Sequence, residues 1–284
     1  MNVLKLKKKI FVLGTAQLNS NYGITNPNSI VSKKESYKIL DYAWEKGIRH
    51  FDTAPTYKSQ KILGEFIKIN NLEKEINIFS KISKIRLITN LKNQISNEID
   101  KNINELKVVP KVNFLHDRKN IKNLIHKNIN LKKISPTLGF SIYNPDEISK
   151  TKKNLFYQFP SNFLDNRFDK NFIFKNFRVA RSLFLQGILI SKINKKPIIK
   201  KKKILNKFQK KFFNICEENK IDPIEFNLSY MLKKKHFDYF IIGVNSKKNL
   251  AKILRSNFNY QTKYNVINYN LFENIRSLNK PYNW

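Results

Sequence analysis

The chain has 284 residues, of which 41% are hydrophobic and 13% aromatic, so its composition excludes an intrinsically disordered protein and allows one large α/β domain. Lys and Arg number 55 against 21 Asp and Glu, which gives a formal net charge of +34. A charge excess alone supports only salt-sensitive, non-specific binding to polyanions, and these lysines are spread over most of the predicted helices. We therefore expect no specific nucleic-acid partner, and binding through the basic surface is kept as an alternative.

Cysteine content and hydropathy indicate the cellular compartment in which the protein is expected. Cys216 is the single cysteine, so no intrachain disulfide can form, as suits a reducing cytoplasm. No stretch approaches the ~20 apolar residues of a membrane helix, and the apolar part of "MNVLKLKKKIFVLG" is too short for a signal peptide. These features predict a soluble cytoplasmic protein with no membrane partner.

Short runs rich in Val, Ile and Phe recur along the chain, with apolar residues at successive positions. This pattern is typical of strands buried on both faces of a parallel sheet. The eight runs span 10–14, 48–54, 76–82, 111–117, 137–144, 155–162, 177–187 and 237–246.

Helical patterns lie between most of these runs. Ser32 and Glu35 have capping-box spacing, and Gly47 provides a stop for the helix that follows them. Asp222 and Pro223 predict an N-cap and a first helical residue. Further apolar stripes predict helices around 62–67, 95–106, 121–125 and 204–216, the last with Cys216 on its core face.

Eight strands that alternate with helices over about 250 residues predict a (β/α)8 TIM barrel, with residues 1–284 as one domain. A doubly wound open sheet is the alternative architecture. The Lys-rich segment 191–203 is interpreted as a loop insertion after the seventh strand.

Four titratable side chains follow the predicted strands at equivalent places. Asp52 ends the second strand, Tyr57 lies in the loop after it, Lys81 ends the third strand and His116 follows the fourth. Each alone has an ordinary structural explanation, as a turn former, a packed ring or a surface charge. Because the carboxyl ends of barrel strands meet at one rim, we expect the four to converge there.

This set of side chains favours proton delivery to a carbonyl oxygen. We expect Lys81 to lower the pKa of Tyr57 and Asp52 to hold the lysine, with Tyr57 as general acid and His116 orienting the substrate. The sequence has no nucleophile motif and no metal-ligand cluster, so a hydride from a nicotinamide is the natural partner of that proton.

"FDTAPTY", "FSK" and "NFLHD" resemble the aldo-keto reductase family, and the likeness continues through "LGTAQLNSNYGITN", "GFSIYNPDEI", "YQFPSNFLDNRF", "RSLFLQGILISK" and "IIGVNSKKNL". The resemblance implies a (β/α)8 barrel, NAD(P)H-dependent reduction of an aldehyde or ketone, and Asp52, Tyr57, Lys81 and His116 as the catalytic tetrad. It is closest to short bacterial members often encoded with sugar or surface-polysaccharide enzymes.

The resemblance also implies a cofactor site. Ser141 and Gln158 would hold the nicotinamide carboxamide, and the segment 185–187 would pass beside the pyrophosphate. The stretch 243–246 would meet the adenosine phosphate at a helix start, where free amides and the helix dipole favour a phosphate. The implied residues are Gly14, Thr15, Ala16, Asp52, Ser141, Gln158, Leu185, Gln186, Gly187, Gly243, Val244, Asn245, Ser246 and Lys247.

Departures from the family pattern affect specificity. Ile142 stands where an Asn is common, Lys58 where a Gly is frequent, and Asn249 where Arg or Gln often grips the 2′-phosphate. Lys247 or Lys248 could supply that charge, and we expect NADPH in preference to NADH. The end of the chain, "NKPYNW", leads us to expect no long substrate loop. A non-catalytic subunit that binds cofactor for redox sensing or for interaction is the alternative function.

Overall fold

The computed structural model describes residues 10–20, 22–23, 30–82, 85, 90–117, 121, 131–148, 155–169, 177–192, 202–259, 261–268 and 270–272. Within them, eight parallel strands close into a barrel in chain order. The strands are β1 Phe11–Gly14, β2 His50–Asp52, β3 Asn77–Ile82, β4 Val112–Leu115, β5 Leu138–Ser141, β6 Phe156–Pro160, β7 Phe177–Arg181 and β8 Tyr239–Gly243. The TIM barrel prediction is confirmed, and the open doubly wound sheet is excluded.

Alternation along each strand divides the apolar residues between two sides of the barrel wall. Val12 belongs to a small cluster that it shares with Phe79 and Phe114 from other strands. Its neighbours Phe11 and Leu13 instead pack into the large cluster that contains the helices. Burial on both sides explains why the strands appear in the sequence as nearly continuous apolar runs.

Seven α-helices pack around the described barrel. They are α1 Lys33–Glu45, α2 Ser59–Ile69, α3 Leu91–Leu106, α4 Leu131–Ile134, α5 Lys202–Glu218, α6 Pro223–Lys233 and α7 Lys247–Arg255. Single 3-10 turns span Pro145–Glu147, Leu185–Gly187 and Thr262–Val266. No helix within the described ranges is both long and apolar enough to cross a membrane.

The predicted helix ends are confirmed where local chemistry specifies them. The Ser32 side chain accepts the amide of Glu35 at the start of α1, and Gly47 follows its end with φ 83°. Asp222 caps α6 through two backbone amides, with Pro223 as the first helical residue. Cys216 is buried in the predicted cluster of α5, and burial raises the pKa of its thiol to about 12.

The seventh predicted run is wrong in extent. The apolar run predicts a strand to residue 187, but β7 ends at Arg181. Ser182, Leu185 and Gln186 have φ values of 60°, 45° and 54°, and left-handed backbone cannot continue a strand. Most of the predicted helix near 121–125, most of the 191–203 insertion and the end of the chain lie outside the described residues.

Candidate active site

Asp52 and Lys81 form a buried ion pair at the carboxyl rim of the barrel. Lys81 Nζ lies 2.8 Å from Asp52 Oδ1 and donates a second hydrogen bond, also 2.8 Å, to the carbonyl of Thr53. Asp52 is 5% exposed and Lys81 6% exposed. Adjacent parallel strands therefore bring these two residues together as the sequence predicts, and the close pairing offsets the cost of burying each charge.

Tyr57 joins this pair through the loop that follows β2. Its amide donates to the carbonyl of Ala54 at 2.9 Å, and its own carbonyl accepts from Gln60 as α2 begins. The turn leaves the side chain half-buried above β3, with Lys81 Nζ 5.3 Å from the centre of the Tyr57 ring. The spacing of the Asp-Thr-Ala-Pro-Thr-Tyr stretch thus places the Tyr57 ring beside the ion pair.

The predicted lowering of the Tyr57 pKa is wrong, because the net shift is upward. Burial raises the pKa of Tyr57 above 10, the Asp52 carboxylate and Tyr143 raise it further, and Arg181 lowers it. The ammonium of Lys81 is paired with Asp52 and with a carbonyl oxygen, so burial and the carboxylate dominate at the phenol. Tyr57 consequently carries its proton throughout the neutral pH range.

His116 follows β4 at the same rim and is neutral at pH 7. Burial lowers its pKa to about 3, and the charges of Arg181 and Lys81 contribute in the same direction. Its Nε2 lies 2.9 Å from the hydroxyl of Tyr143, which comes just after β5. His116 therefore acts as a neutral hydrogen-bonding group in this arrangement.

Arg181 and Tyr143 belong to the site, although the sequence analysis did not single them out. The Arg181 guanidinium lies 4.5 Å from the centre of the Tyr143 ring, and its Nη2 donates to the carbonyl of Ile142 at 3.3 Å. Both residues stand at strand ends, Arg181 closing β7 and Tyr143 following β5. The rule that polar side chains at strand ends face the rim, which selects Asp52 and His116, also selects Arg181 and Tyr143 when it is applied to β5 and β7.

Tyr22, in the loop after β1, also reaches this rim. The residue as a whole is 44% exposed, yet burial is the largest cause that raises the pKa of its phenol, followed by Tyr57. Arg181, Tyr143 and Lys81 also act on its pKa. The Tyr22 phenol is therefore within electrostatic range of these rim residues.

A buried polar network supports Lys81 from behind. Asn102 of α3 donates to the Lys81 carbonyl at 3.0 Å and to the Asn113 side chain at 2.9 Å. Gln60 of α2 donates to Asn102 and accepts from the Ser80 hydroxyl. These polar residues on otherwise apolar faces connect α2, α3, β3 and β4, and thereby fix the backbone that carries Lys81.

Residues 14–16, predicted to line the cofactor edge, lie beside Asp52. Gly14 is in register with Asp52 and with Gly243 on the two neighbouring strands. The Thr15 amide and hydroxyl both contact the Asp52 carbonyl, at 2.9 and 3.1 Å, and Thr15 is fully buried. Ala16 follows in the loop and is partly exposed. Thr15 thus holds the backbone at the end of β2.

Ser141 and Gln158 form a hydrogen-bonded chain with Asp52. The Ser141 hydroxyl donates to Gln158 Oε1 at 3.1 Å, and Gln158 Nε2 donates to Asp52 Oδ2 at 2.6 Å. A glutamine amide has two N–H donors and two acceptor lone pairs, so one of each remains for a primary carboxamide. The donor set therefore fits a nicotinamide. Both side chains are fully buried, so the residues that cover them must move before a carboxamide can reach them.

The segment predicted to pass the pyrophosphate has unusual backbone. Leu185 is buried in the second apolar cluster, Gln186 has left-handed backbone and Gly187 has φ 93°. A Cβ placed on Gly23 would lie 3.8 Å from the Gln186 carbonyl oxygen. The loops after β1 and β7 therefore touch each other across the rim.

The predicted phosphate-binding helix start is formed by β8 and α7. The Ser246 hydroxyl caps α7 by accepting the amide of Asn249 at 3.1 Å. Glu35 Oε1 of α1 accepts the amide of Lys247 at 2.8 Å. A Cβ on Gly243 would lie 2.6 Å from Gln17 Nε2, so the glycine makes room for that side chain.

Val244 and Asn245 connect β8 to that helix start. Val244 is buried, and Asn245 accepts a hydrogen bond from the side chain of Asn249. The structure therefore brings the residues predicted to bind the adenosine phosphate to one place, and it brings the Glu35 carboxylate there as well.

Comparison with known proteins supports the resemblance drawn from the motifs. An aldo/keto reductase family model matches residues 11–126, a range that contains the whole predicted tetrad. No curated protein matches the sequence.

Solved structures resemble the chain in fold. The glycerol dehydrogenase AKR11B4 from Gluconobacter oxydans aligns with a TM-score of 0.65 at 14% identity, over 95% of this chain and 91% of that one. PA4992, a proposed aldo-keto reductase from Pseudomonas aeruginosa, aligns with a TM-score of 0.59 at 13% identity, over 86% and 88%. At these identities the structural likeness establishes the fold alone.

Proposed function

Because the chain matches the aldo/keto reductase family over residues 11–126 and folds as a TIM barrel, we propose that it is an NAD(P)H-dependent oxidoreductase that reduces an aldehyde or ketone. One observation carries the proposal: the buried Lys81–Asp52 pair has Tyr57 beside it, at the rim that also holds His116. A carbonyl substrate at this rim meets a proton donor, a cation and a neutral imidazole together.

Tyr57 is the general acid in this proposal. Its raised pKa keeps the phenol protonated at neutral pH, so the hydroxyl can donate to the carbonyl oxygen as negative charge develops there. The Lys81 ammonium lies close enough to stabilise the phenolate left behind, and Asp52 holds that ammonium in place. Neutral His116 hydrogen-bonds the same oxygen once the Tyr143 hydroxyl yields its position.

The cofactor supplies the hydride when it is bound. Ser141 and Gln158 would hold its carboxamide, residues 14–16 and 185–187 would line its path, and residues 243–247 would meet the adenosine end. We propose NADPH as the preferred cofactor, with Lys247 and Lys248 facing the 2′-phosphate, and NADH as the alternative. The substrate is a small carbonyl compound, and residues 1–284 form one domain.

Tyr57→Phe tests the proton-donor role. The variant should lose at least about 10²-fold in kcat for NADPH-dependent carbonyl reduction and keep its NADPH dissociation constant within about twofold, because the hydroxyl acts mainly in the transition state. Since the pKa of Tyr57 is raised, wild-type kcat should also show no alkaline decline up to about pH 9. If Tyr57→Phe reduced a true substrate as fast as the wild type does, Tyr57 would not be the proton donor.

A non-catalytic cofactor-binding subunit is the second candidate function. Both candidate functions need the buried Ser141 and Gln158 to become accessible to the carboxamide, so turnover is what separates them. Tight NADPH binding with no cofactor oxidation across a broad carbonyl panel would support this function. Turnover on any carbonyl of that panel would exclude it.

A further inference from the structure

Arg181 brings a positive charge with unused hydrogen-bond donors to the rim. Its Nη2 donates to the Ile142 carbonyl, whereas its buried Nε has no hydrogen-bond partner within the described residues. A guanidinium carries five N–H donors in a planar fork that matches a carboxylate or phosphate in two-point contact. Stacking on Tyr143 holds the fork in place without satisfying those donors.

Two carboxylates near Arg181 are paired with other cations. Asp52 is paired with Lys81 at 2.8 Å, and Asp165 is paired with Arg167 at 2.7 Å. Among the described residues, no Asp or Glu oxygen lies within salt-bridge distance of Arg181. Arg181 acts on the pKa of the buried Asp165 but forms no direct salt bridge with it, so the guanidinium keeps donors that an anionic ligand could engage.

Arg181 is placed toward the reacting groups. Its charge lowers the pKa of both Tyr57 and His116, and its stacking partner Tyr143 hydrogen-bonds His116. An anion held by Arg181 would therefore sit in the space shared with the carbonyl. Lys58, exposed directly after Tyr57, adds a second cation at the edge of this space.

We propose that Arg181 is a specificity-determining residue that binds a carboxylate or phosphate group on the substrate, so that the enzyme prefers anionic aldehydes or ketones. This inference rests on the proposed reductase function. In the reaction, the carbonyl carbon gains a hydride from NAD(P)H and the oxygen gains the proton of Tyr57. The product C–H and O–H bonds form as the nicotinamide C–H bond and the Tyr57 O–H bond break, the C=O double bond becomes single, the cofactor is oxidised, and the bound anion is unchanged.

Matched substrates separate this role from general catalysis. The assay compares three proteins: wild type, Arg181→Gln and Arg181→Lys. Each is tested with the anionic substrates D-glucuronate and D-glucose 6-phosphate against neutral D-glucose. Each is also tested with anionic succinic semialdehyde against neutral butanal. Wild type should prefer the anionic member, and Arg181→Gln should lose about 10- to 100-fold in kcat/KM on it alone. Arg181→Lys should recover part of the loss. Arg178→Gln, near the other end of β7, is the control.

Two binding measurements complete the test. Fluorescence titration gives the NADPH dissociation constant of each variant, which should stay within about twofold because the oxyanion belongs to the substrate. Calorimetry compares D-gluconate with neutral D-sorbitol on the NADPH-loaded proteins, and wild type but not Arg181→Gln should bind the anion more tightly.

The outcomes distinguish this inference from the function on which it rests. Equal losses on anionic and neutral substrates, or a loss explained by weaker NADPH binding, overturn the role of Arg181 and leave the reductase proposal standing. If wild type reduces no carbonyl, the proposed function fails. In that case, equal calorimetric binding of D-gluconate by wild type and Arg181→Gln overturns the anion site as well.

Discussion

Asp52 is the residue on which the rim depends. One carboxylate oxygen pairs with Lys81, the other accepts from Gln158, and the backbone carbonyl accepts from Thr15. Residues at or near the ends of β1, β3 and β6 therefore hold Asp52 in position. Its charge also helps keep Tyr57 protonated, so structural and chemical roles coincide in a single carboxylate.

Removing one partner of the buried pair should be costlier than removing both charges. Lys81→Met leaves Asp52 buried without its cation and should lower the free energy of unfolding by about 3 kcal/mol. The double variant Asp52→Asn/Lys81→Met should cost clearly less than the sum of the single changes. Urea denaturation of the four proteins measures this coupling. Additive costs would mean that the two charges are solvated independently.

At the scale of elements, the start of α7 carries conflicting charges for a phosphate site. Its backbone amides and dipole favour an anion, but the carboxylate of Glu35 from α1 already accepts the Lys247 amide. A 2′-phosphate placed there must displace or repel Glu35. If the 2′-phosphate binds at this helix start as proposed, Glu35 weakens NADPH binding relative to NADH, and the proposed NADPH preference then requires Lys247 and Lys248 to outweigh it.

Glu35→Gln should therefore strengthen NADPH binding about 2- to 5-fold at low ionic strength and leave NADH binding nearly unchanged. Parallel fluorescence titrations with both cofactors measure the difference. Glu45→Gln, which removes the same charge from the other end of α1, is the matched control. An equal change for both cofactors would contradict the placement of the adenosine phosphate at α7.

At the scale of the whole molecule, partial burial in the barrel lowers the pKa values of His50 and His116. His50, at the start of β2, packs its ring against Tyr239 and Phe79 at centroid distances of 5.0 and 5.8 Å. Burial, with a smaller effect of Lys111, lowers its pKa from 6.5 to about 4. Between these values the unfolded chain binds more protons than the native one, so stability falls as the pH falls.

His50→Gln should make the stability less dependent on pH. From pH 7 to pH 4, His50 should account for a loss of about 1–2 kcal/mol in the free energy of unfolding of the wild type, after allowance for its partial exposure. Urea denaturation at intervals across this range compares the two proteins. Parallel curves for wild type and variant would show that His50 does not carry the effect.

The sequence by itself determined the order of the eight strands, the helix caps at Ser32 and Asp222, and the rim on which Asp52, Tyr57, Lys81 and His116 meet. These features depend on local patterns: apolar runs of strand length, capping residues at fixed spacing, and the rule that parallel strands end on one side. Even the family resemblance depends on short motifs that follow individual strands.

Only the tertiary structure decided the electrostatics of the site. The raised pKa of Tyr57 depends on burial and on Asp52, Tyr143 and Arg181, which come from three different strand ends. The contact of Glu35 with Lys247 joins residues 212 positions apart. Distances and burial between separate strands set both effects, and no local pattern in the sequence encodes them.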